Sequence, residues 1–285
     1  MIRLAVGALL ALATPAYAFD EAKLTAAAQA EEIALSARVG AAVLDTATGQ
    51  SWGYHAVQRF PMDSTHKAFS CAALLAKVDK GEASLDRRVT FVATDIEPYS
   101  PITENRIAPD SMSLSELCAA SLGVSDNTAA NFVLAADGGP GGVTAFLRTL
   151  GDQTSRLDRT EPDLNEAAPG DPRDTTTPAA AMADLDKILL ATVLKPKSRE
   201  RLTQWMIADR VAAPLLRAAL PEDWRIADKT GNGGHGSRGI VAVMWPPDRA
   251  PLVAAIYLTD TKASLDARNA AIARIGAALV KAAAR

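Results

Sequence analysis

Histidine and cysteine are scarce in this 285-residue chain, and their scarcity removes whole classes of chemistry. His55, His66 and His235 stand apart from one another and from the two cysteines, Cys71 and Cys118. Protein zinc sites need three or four such ligands at characteristic spacings, so no metal is expected, and no cofactor either. Each lone histidine reads as structural or exposed, which leaves a serine–histidine triad without support. Charge of either sign is not in excess: 30 Lys and Arg against 33 Asp and Glu give a formal net charge of -3. The basic footprint of a nucleic-acid or anionic-membrane partner is therefore missing. Beyond the N-terminus, no apolar run approaches the ~20 residues that span a bilayer.

What is present begins with a leader. Arg3 precedes an apolar run from Leu4 to Ala13, and Ala16-Tyr17-Ala18 is a small-x-small cleavage signal. Residues 1–18 are thus expected to be a secretory signal peptide, with no membrane anchor after cleavage. The destination would be the periplasm if the source is Gram-negative. Export brings Cys71 and Cys118 into an oxidising compartment, where a single bridge between them is the natural reading. Its closed loop of roughly fifty residues is worth about 4 kcal/mol in the chain-entropy treatment.

Periodicity divides the rest. Residues 21–37 carry an amphipathic helical pattern, and the strand-like runs Val39 to Asp45 and Ser51 to His55 form a hairpin around Gly49. From about Pro61 to Ala208 helical patterns alternate with Gly-, Pro- and Asp-rich turns. Strands then return at Trp224 to Thr230, Arg238 to Trp245 and Leu252 to Thr259, before a closing helix over Ala263 to Ala284. Sequential strands joined by tight turns favour an antiparallel sheet with an apolar cover. The expectation is a two-lobe α/β fold: residues 19–62 and 208–285 make a five-stranded antiparallel sheet with terminal helices, and 63–207 an all-helical lobe. A site belongs between the lobes.

The candidate chemistry lies in short motifs. Ser64 and Lys67 sit three apart at the start of a helical stretch in which Phe69, Ala72, Leu75 and neighbouring apolar residues mark a buried face. Residues i and i+3 share a face, so Lys67 is expected to reach the Ser64 hydroxyl and activate it as a nucleophile. A helix start also offers unpaired N–H groups to an oxyanion. Ser125, Asp126 and Asn127 precede another helical run. They are good N-caps, yet Ser125 is also placed to pass a proton to a leaving amine, with Asn127 holding a substrate carbonyl or the Lys67 amine.

Glu161 and Asn165, four apart in a loop rich in Asp and Pro, can hold one water between a carboxylate and an amide, the arrangement of a hydrolytic base. Arg159 and Asp174 can form a bidentate pair that closes that loop. Lys229, Thr230 and Gly231 lead into Asn232 and the glycine-rich turn before Arg238, an anion site suited to a carboxylate. Strict strand alternation puts Lys229 and Thr230 on opposite faces, and the pattern does not show how both serve one pocket.

In this order, Ser64-x-x-Lys67, Ser125-Asp126-Asn127, Glu161-x-x-x-Asn165 and Lys229-Thr230-Gly231 resemble the class A serine β-lactamases, for which three of these motifs are established signatures. The resemblance covers nearly the whole mature chain, and the stretches Arg156 to Asn165 and Gly170 to Pro178 look closest to the carbenicillin-hydrolysing branch. It implies that Ser64 attacks the lactam carbonyl, with the backbone N–H groups of Ser64 and Asn232 as the oxyanion hole. Ser125 would protonate the leaving nitrogen, and Glu161 with Asn165 would activate the deacylating water. Lys229, Thr230 and Arg238 would bind the substrate carboxylate, with Tyr99 lining the entrance. The implied activity is antibiotic resistance through a monomeric enzyme acting on small β-lactams.

A penicillin-binding peptidase or a non-catalytic β-lactam sensor shares several of these motifs, but neither needs the Glu161–Asn165 pair. Asp63 and Asn232 depart from the family's usual residues. Carbapenem-hydrolysing members carry a disulfide whose positions correspond here to Asp63 and Gly233, so that cross-link is excluded. Penicillins, carboxypenicillins and early cephalosporins are the expected substrates, with oxyimino-cephalosporins and carbapenems poor ones.

Overall fold

In the computed structural model, residues 20–283 are described, and the expected signal peptide lies outside the described residues. Asp20 caps α1 (Glu21–Leu35), accepting from the Lys23 N–H. The hairpin follows as β1 (Arg38–Asp45) and β2 (Ser51–Tyr54), and then come β3 (Phe60–Pro61) and α2 (His66–Lys80). Gly81 closes α2 in the left-handed conformation at φ 79°, the usual task of glycine at that position. β4 (Arg88–Val89) and β5 (Met112–Ser113) pair ahead of α3 (Leu114–Gly123), whose Ser113 and Glu116 form a reciprocal capping box. α4 (Asn127–Asp137), α5 (Pro140–Thr149), β6 (Thr175–Thr176), α6 (Pro178–Leu189) and α7 (Pro196–Ile207) complete the helical region. Three of these helices begin on proline, where the missing N–H costs nothing. β7 (Arg225–Asn232), β8 (Arg238–Trp245), β9 (Leu252–Thr259) and α8 (Leu265–Ala283) end the chain.

The expected five-stranded antiparallel sheet is present, in the order β2-β1-β9-β8-β7. The two chain ends meet in it through β1 and β9, with Val39 opposite Leu258 and Val43 opposite Ala254. Alternation then sorts side chains to two faces. Val39, Ala41, Val43, Ile240, Ala254 and Ile256 join Leu24, Ile272 and Leu279 of α1 and α8 in one core. Ala42, Val241, Val243, Val253 and Tyr257 point the other way, into a larger core continuous with α2, α3, α4 and α6. β7 runs two residues beyond its expected end at Thr230, because its pairing with β8 holds as far as Asn232 opposite Arg238.

α2 is buried on every side from His66 to Leu75, as befits a helix at the centre of its lobe. Cys71 on α2 and Cys118 on α3 form the expected disulfide, with Cα atoms 5.9 Å apart. The short β3–β6 ladder ties the approach to Ser64 to the far end of the loop carrying Glu161. Among the described residues, no helix is long and apolar enough to cross a membrane.

Candidate active site

A cleft of about 590 Å³ opens between the helical region and the edge strand β7. Ser64, Tyr99, Ser125, Asn127, Asn165, Thr230, Asn232 and Arg238 line it, all of them expected from sequence. Val211, Pro214, Leu265 and Asn269 line it too. They fall in two short segments, 211–214 and 265–269, that carry no chemical motif, so no sequence signal identified them.

Ser64 occupies a one-turn 3-10 segment, Asp63–Thr65, and α2 proper starts only at His66. The tight turn has Asp63 at φ 44° and is braced by Thr65, whose N–H and hydroxyl both donate to Met62 O, at 3.0 and 2.6 Å. Gly231 on β7 packs directly behind it. A Cβ there would lie 2.9 Å from Met62 O and 3.2 Å from Ser64 N, so only glycine lets the strand approach the serine this closely.

The expected Ser64–Lys67 contact is replaced by another. Ser64 Oγ donates to Glu161 Oε1 at 3.4 Å. Lys67 Nζ instead reaches Asn127 Oδ1 at 2.7 Å, Ser125 O at 2.9 Å, Ser125 Oγ at 3.2 Å and Glu161 Oε1 at 2.9 Å. An ammonium has three protons and no lone pair, and this surround of acceptors occupies all three. Of the two roles open to Asn127, its carbonyl takes the Lys67 amine, while its amide donates to Pro98 O at 2.8 Å. Asp126, between Ser125 and Asn127, is the helix cap. Its carboxylate accepts from the N–H groups of Ala129, Ile102 and Thr103 and from the Thr103 hydroxyl.

Glu161 and Lys67 are both fully buried behind the cleft wall. Burial pushes Glu161 up, but the Lys67 ammonium and a hydrogen bond from His66 outweigh it and hold the carboxyl below its usual range. Burial pulls Lys67 down, against the attraction of Glu161. Asn165 Nδ2 donates to Glu161 Oε2 from a 3-10 turn, Asp163–Asn165. Asn131, not picked out from sequence, fixes the Glu161 backbone: its Oδ1 accepts from Glu161 N and its Nδ2 donates to Glu161 O, both at 2.9 Å. Its one signal is a position four after Asn127 on α4, the same helix face.

The Arg159–Asp174 pair closes the loop as expected but is not bidentate. Arg159 Nε donates to Asp174 Oδ2 at 2.6 Å, and Nη1 turns to Glu166 Oε2 at 2.5 Å. The second oxygen of Asp174 is taken by the N–H groups of Asp158 and Arg159, at 2.7 and 2.9 Å.

On the opposite wall the alternation puzzle resolves. Thr230 lines the cleft, while Lys229 is buried behind it and folds its ammonium back to donate to Thr230 O at 2.9 Å. Burial lowers Lys229 to about 8. Arg238, which burial takes down to about 10, donates to Gly231 O at 2.9 Å and Asn269 Oδ1 at 2.8 Å. Asn232 Oδ1 accepts from Arg268 at 3.2 Å. Asp63 and Gly233 are in contact, as their expected correspondence requires: a Cβ on Gly233 would come 2.3 Å from Asp63 Oδ1. Among the described residues, no group of three or more His, Cys, Asp or Glu is placed to hold a metal ion.

Known proteins resemble this chain over most of its length. Residues 23–283 match the Beta-lactamase enzyme family. β-Lactamase AER-1 of Aeromonas hydrophila is 55% identical over 266 residues, 93% of this chain and 88% of its own. The structure of an ancestral class A β-lactamase of Gram-negative bacteria superposes with a TM-score of 0.89 at 52% identity, covering 91% of this chain and 99% of that one. The chromosome-encoded β-lactamase of Vibrio parahaemolyticus gives 0.88 at 41% identity, covering 90% and 98%. By sequence, fold and cleft together, the chain belongs to the class A serine β-lactamases, enzymes that hydrolyse the β-lactam amide bond.

Proposed function

We propose that Ser64 is the nucleophile and Glu161 the proton acceptor of both half-reactions. The 3.4 Å hydrogen bond from Ser64 Oγ to Glu161 Oε1 carries this assignment. Lys67, surrounded by acceptors, acts as the ammonium that keeps Glu161 ionised and Ser125 oriented. In acylation the Ser64 proton passes to Glu161 as Oγ attacks the lactam carbonyl. The backbone N–H groups of Ser64 and Asn232 receive the oxyanion. Ser125, held by Lys67, delivers a proton to the departing nitrogen, and that proton is replaced from Glu161 through Lys67.

Once Ser64 is esterified its oxygen has no proton to donate, so one lone pair of Glu161 Oε1 is released. A water taking that place lies between the base and the acyl carbonyl, with Asn165 fixing the other carboxylate oxygen. Lys229, Thr230 and Arg238 form the carboxylate-binding wall, and Tyr99, 61% exposed, flanks the entrance. Residues 19–62 with 208–285, and 63–207, are the two lobes that frame the cleft. The enzyme works as a monomer in the periplasm after loss of residues 1–18.

The preferred substrates are penicillins, carboxypenicillins and early cephalosporins, as in the carbenicillin-hydrolysing branch. Gly234 N donates to Asn165 O at 2.8 Å, and a Cβ on Gly234 would meet Glu166 O at 2.3 Å. The glycines of the β7–β8 turn thus do not widen the cleft; they let the Glu161 loop close against it. A bulky oxyimino group has to push apart segments held together by that bond and by the Arg159–Asp174 pair. Comparing kcat/KM for carbenicillin, cefotaxime and imipenem on one preparation tests the range. Cefotaxime or imipenem within about tenfold of carbenicillin, some 1.4 kcal/mol, would overturn it.

A further inference from the structure

His66 points away from the cleft, into the interior beside the base. Its side chain is fully buried, with Nε2 3.2 Å from Glu161 Oε1 and Nδ1 3.1 Å from Ser70 Oγ. A carboxylate oxygen only accepts, so Nε2 must carry the proton. Ser70, one turn along α2 and itself buried, is 3.1 Å from both His66 Nδ1 and His66 O. A neutral imidazole has a single N–H, so with Nε2 protonated Nδ1 is bare, and the one Ser70 hydroxyl proton is shared between Nδ1 and His66 O, each 3.1 Å away.

We propose that His66 is a positioning residue for the hydrolytic base: a neutral imidazole, its tautomer set by the acceptor-only carboxylate, that donates to Glu161 Oε1 from behind the cleft wall. The inference rests on Glu161 being that base. Oε1 then has donors from Ser64, Lys67 and His66, of which the first is consumed on acylation. The other two hold the oxygen still while water replaces it. Charge explains why the donor is uncharged. Burial and the Lys67 ammonium both lower the affinity of His66 for a second proton, while Glu161 and Asp174 raise it, and the balance is downward. A neutral ring supports the carboxylate without setting a second buried cation beside Lys67.

His66→Phe keeps an aromatic ring and removes the donor, whereas His66→Gln keeps an N–H. With carbenicillin, His66→Phe is expected to slow deacylation about tenfold. kcat and KM then fall together, kcat/KM changes little, and intact mass spectrometry shows acyl-enzyme at steady state. The acid limb of kcat moves to higher pH, because a carboxylate that loses a donor binds its proton more tightly. His66→Gln restores most of kcat and the limb. Rates are referred to active sites counted by burst titration, so partial misfolding does not imitate the effect, and His66→Leu replaces Phe if the larger ring prevents folding. Unchanged kcat, KM and acid limb in a folded donor-less variant, or Gln no better than Phe, would overturn the proposal. Glu161→Gln run alongside separates the two assignments. If it turns over at the native rate without accumulating acyl-enzyme, Glu161 is not the base; if turnover is lost while His66→Phe leaves kcat, KM and the acid limb unchanged, only the role of His66 fails.

Discussion

Replacing Glu161 by glutamine keeps the shape of the side chain and removes the charge on which its surroundings depend. In the native site one carboxylate accepts from Ser64, His66, Lys67 and Asn165. Glutamine offers a single carbonyl oxygen, and its NH2 must face either the Lys67–His66 side or the Asn165 amide, donor against donor. Loss of a general base costs ~10²- to 10⁴-fold, or about 2.7 to 5.5 kcal/mol of barrier, and deacylation should suffer all of it. Acylation should suffer less. Glu161 is what raises Lys67 against the downward pull of burial. Without it the Lys67 amine binds its proton less tightly, which favours a neutral form able to act as a substitute base one turn from Ser64. The expected outcome is a penicilloyl adduct that forms within seconds of mixing, persists in intact-mass spectra, and decays hundreds of times more slowly than native turnover. Native turnover without an adduct would refute the assignment. Equal losses in both half-reactions would refute the substitute role of Lys67.

Other perturbations read other regions of the site. Burial raises Asp63 from 3.8 to about 7, so the folded state holds its proton more tightly than the unfolded one, and stability falls as pH climbs through that interval. Between pH 5 and 8 the loss is about 3 kcal/mol at most. Melting curves should therefore show Asp63→Asn losing less than wild type over that range, and parallel losses would count against it. Lys229, lowered to about 8, should give kcat/KM an alkaline limb near that pH, which Lys229→Arg moves upward; a limb that stays in place would show that another group sets it. The Cys71→Ala/Cys118→Ala double variant should lose up to about 4 kcal/mol in denaturant unfolding while kcat/KM stays within about twofold, because neither sulfur lines the cleft.

Much of the fold and site is legible in the sequence, for identifiable reasons. Alternation within each strand and the tight connections require an antiparallel sheet, and the disulfide follows from there being two cysteines in an exported chain. The site residues Ser64, Ser125, Glu161 and Thr230 are legible because their motifs occur together in one order, each being an ordinary cap, loop or strand residue when taken alone. What escapes are partners that depend on the three-dimensional path. Lys67 lies one turn from Ser64, yet its donors are drawn off by Asn127, Ser125 and Glu161, which arrive from two other segments. The same closure turns His66 from an isolated histidine into a neighbour of the base. Asn131 and Asn269 act through hydrogen bonds to backbone and to Arg238, and beyond the spacing of Asn131 from Asn127 nothing in their local sequence distinguishes them from surface polar residues.

Local rules are broken beside the chemistry as well as at turns elsewhere. Asp63, Tyr99 and Ser125 have φ of 44°, 62° and 62°, a region that side chains other than glycine enter at about 1–3 kcal/mol each. Something must hold them there, and the supporting bonds are specific. Ser237 Oγ donates to Asp63 Oδ2 at 2.7 Å. Asn127 N donates to Tyr99 O at 3.1 Å, and its side-chain amide to Pro98 O. Ser125 is held from its own neighbour, since Asp126 gathers donors from Ala129, Ile102 and Thr103 and so locks the turn in which Ser125 is strained. The helix-cap and catalytic readings of Ser125-Asp126-Asn127 are therefore not rivals. Capping by Asp126 stabilises the conformation that aims Ser125 Oγ and Asn127 Oδ1 at the one ammonium between them.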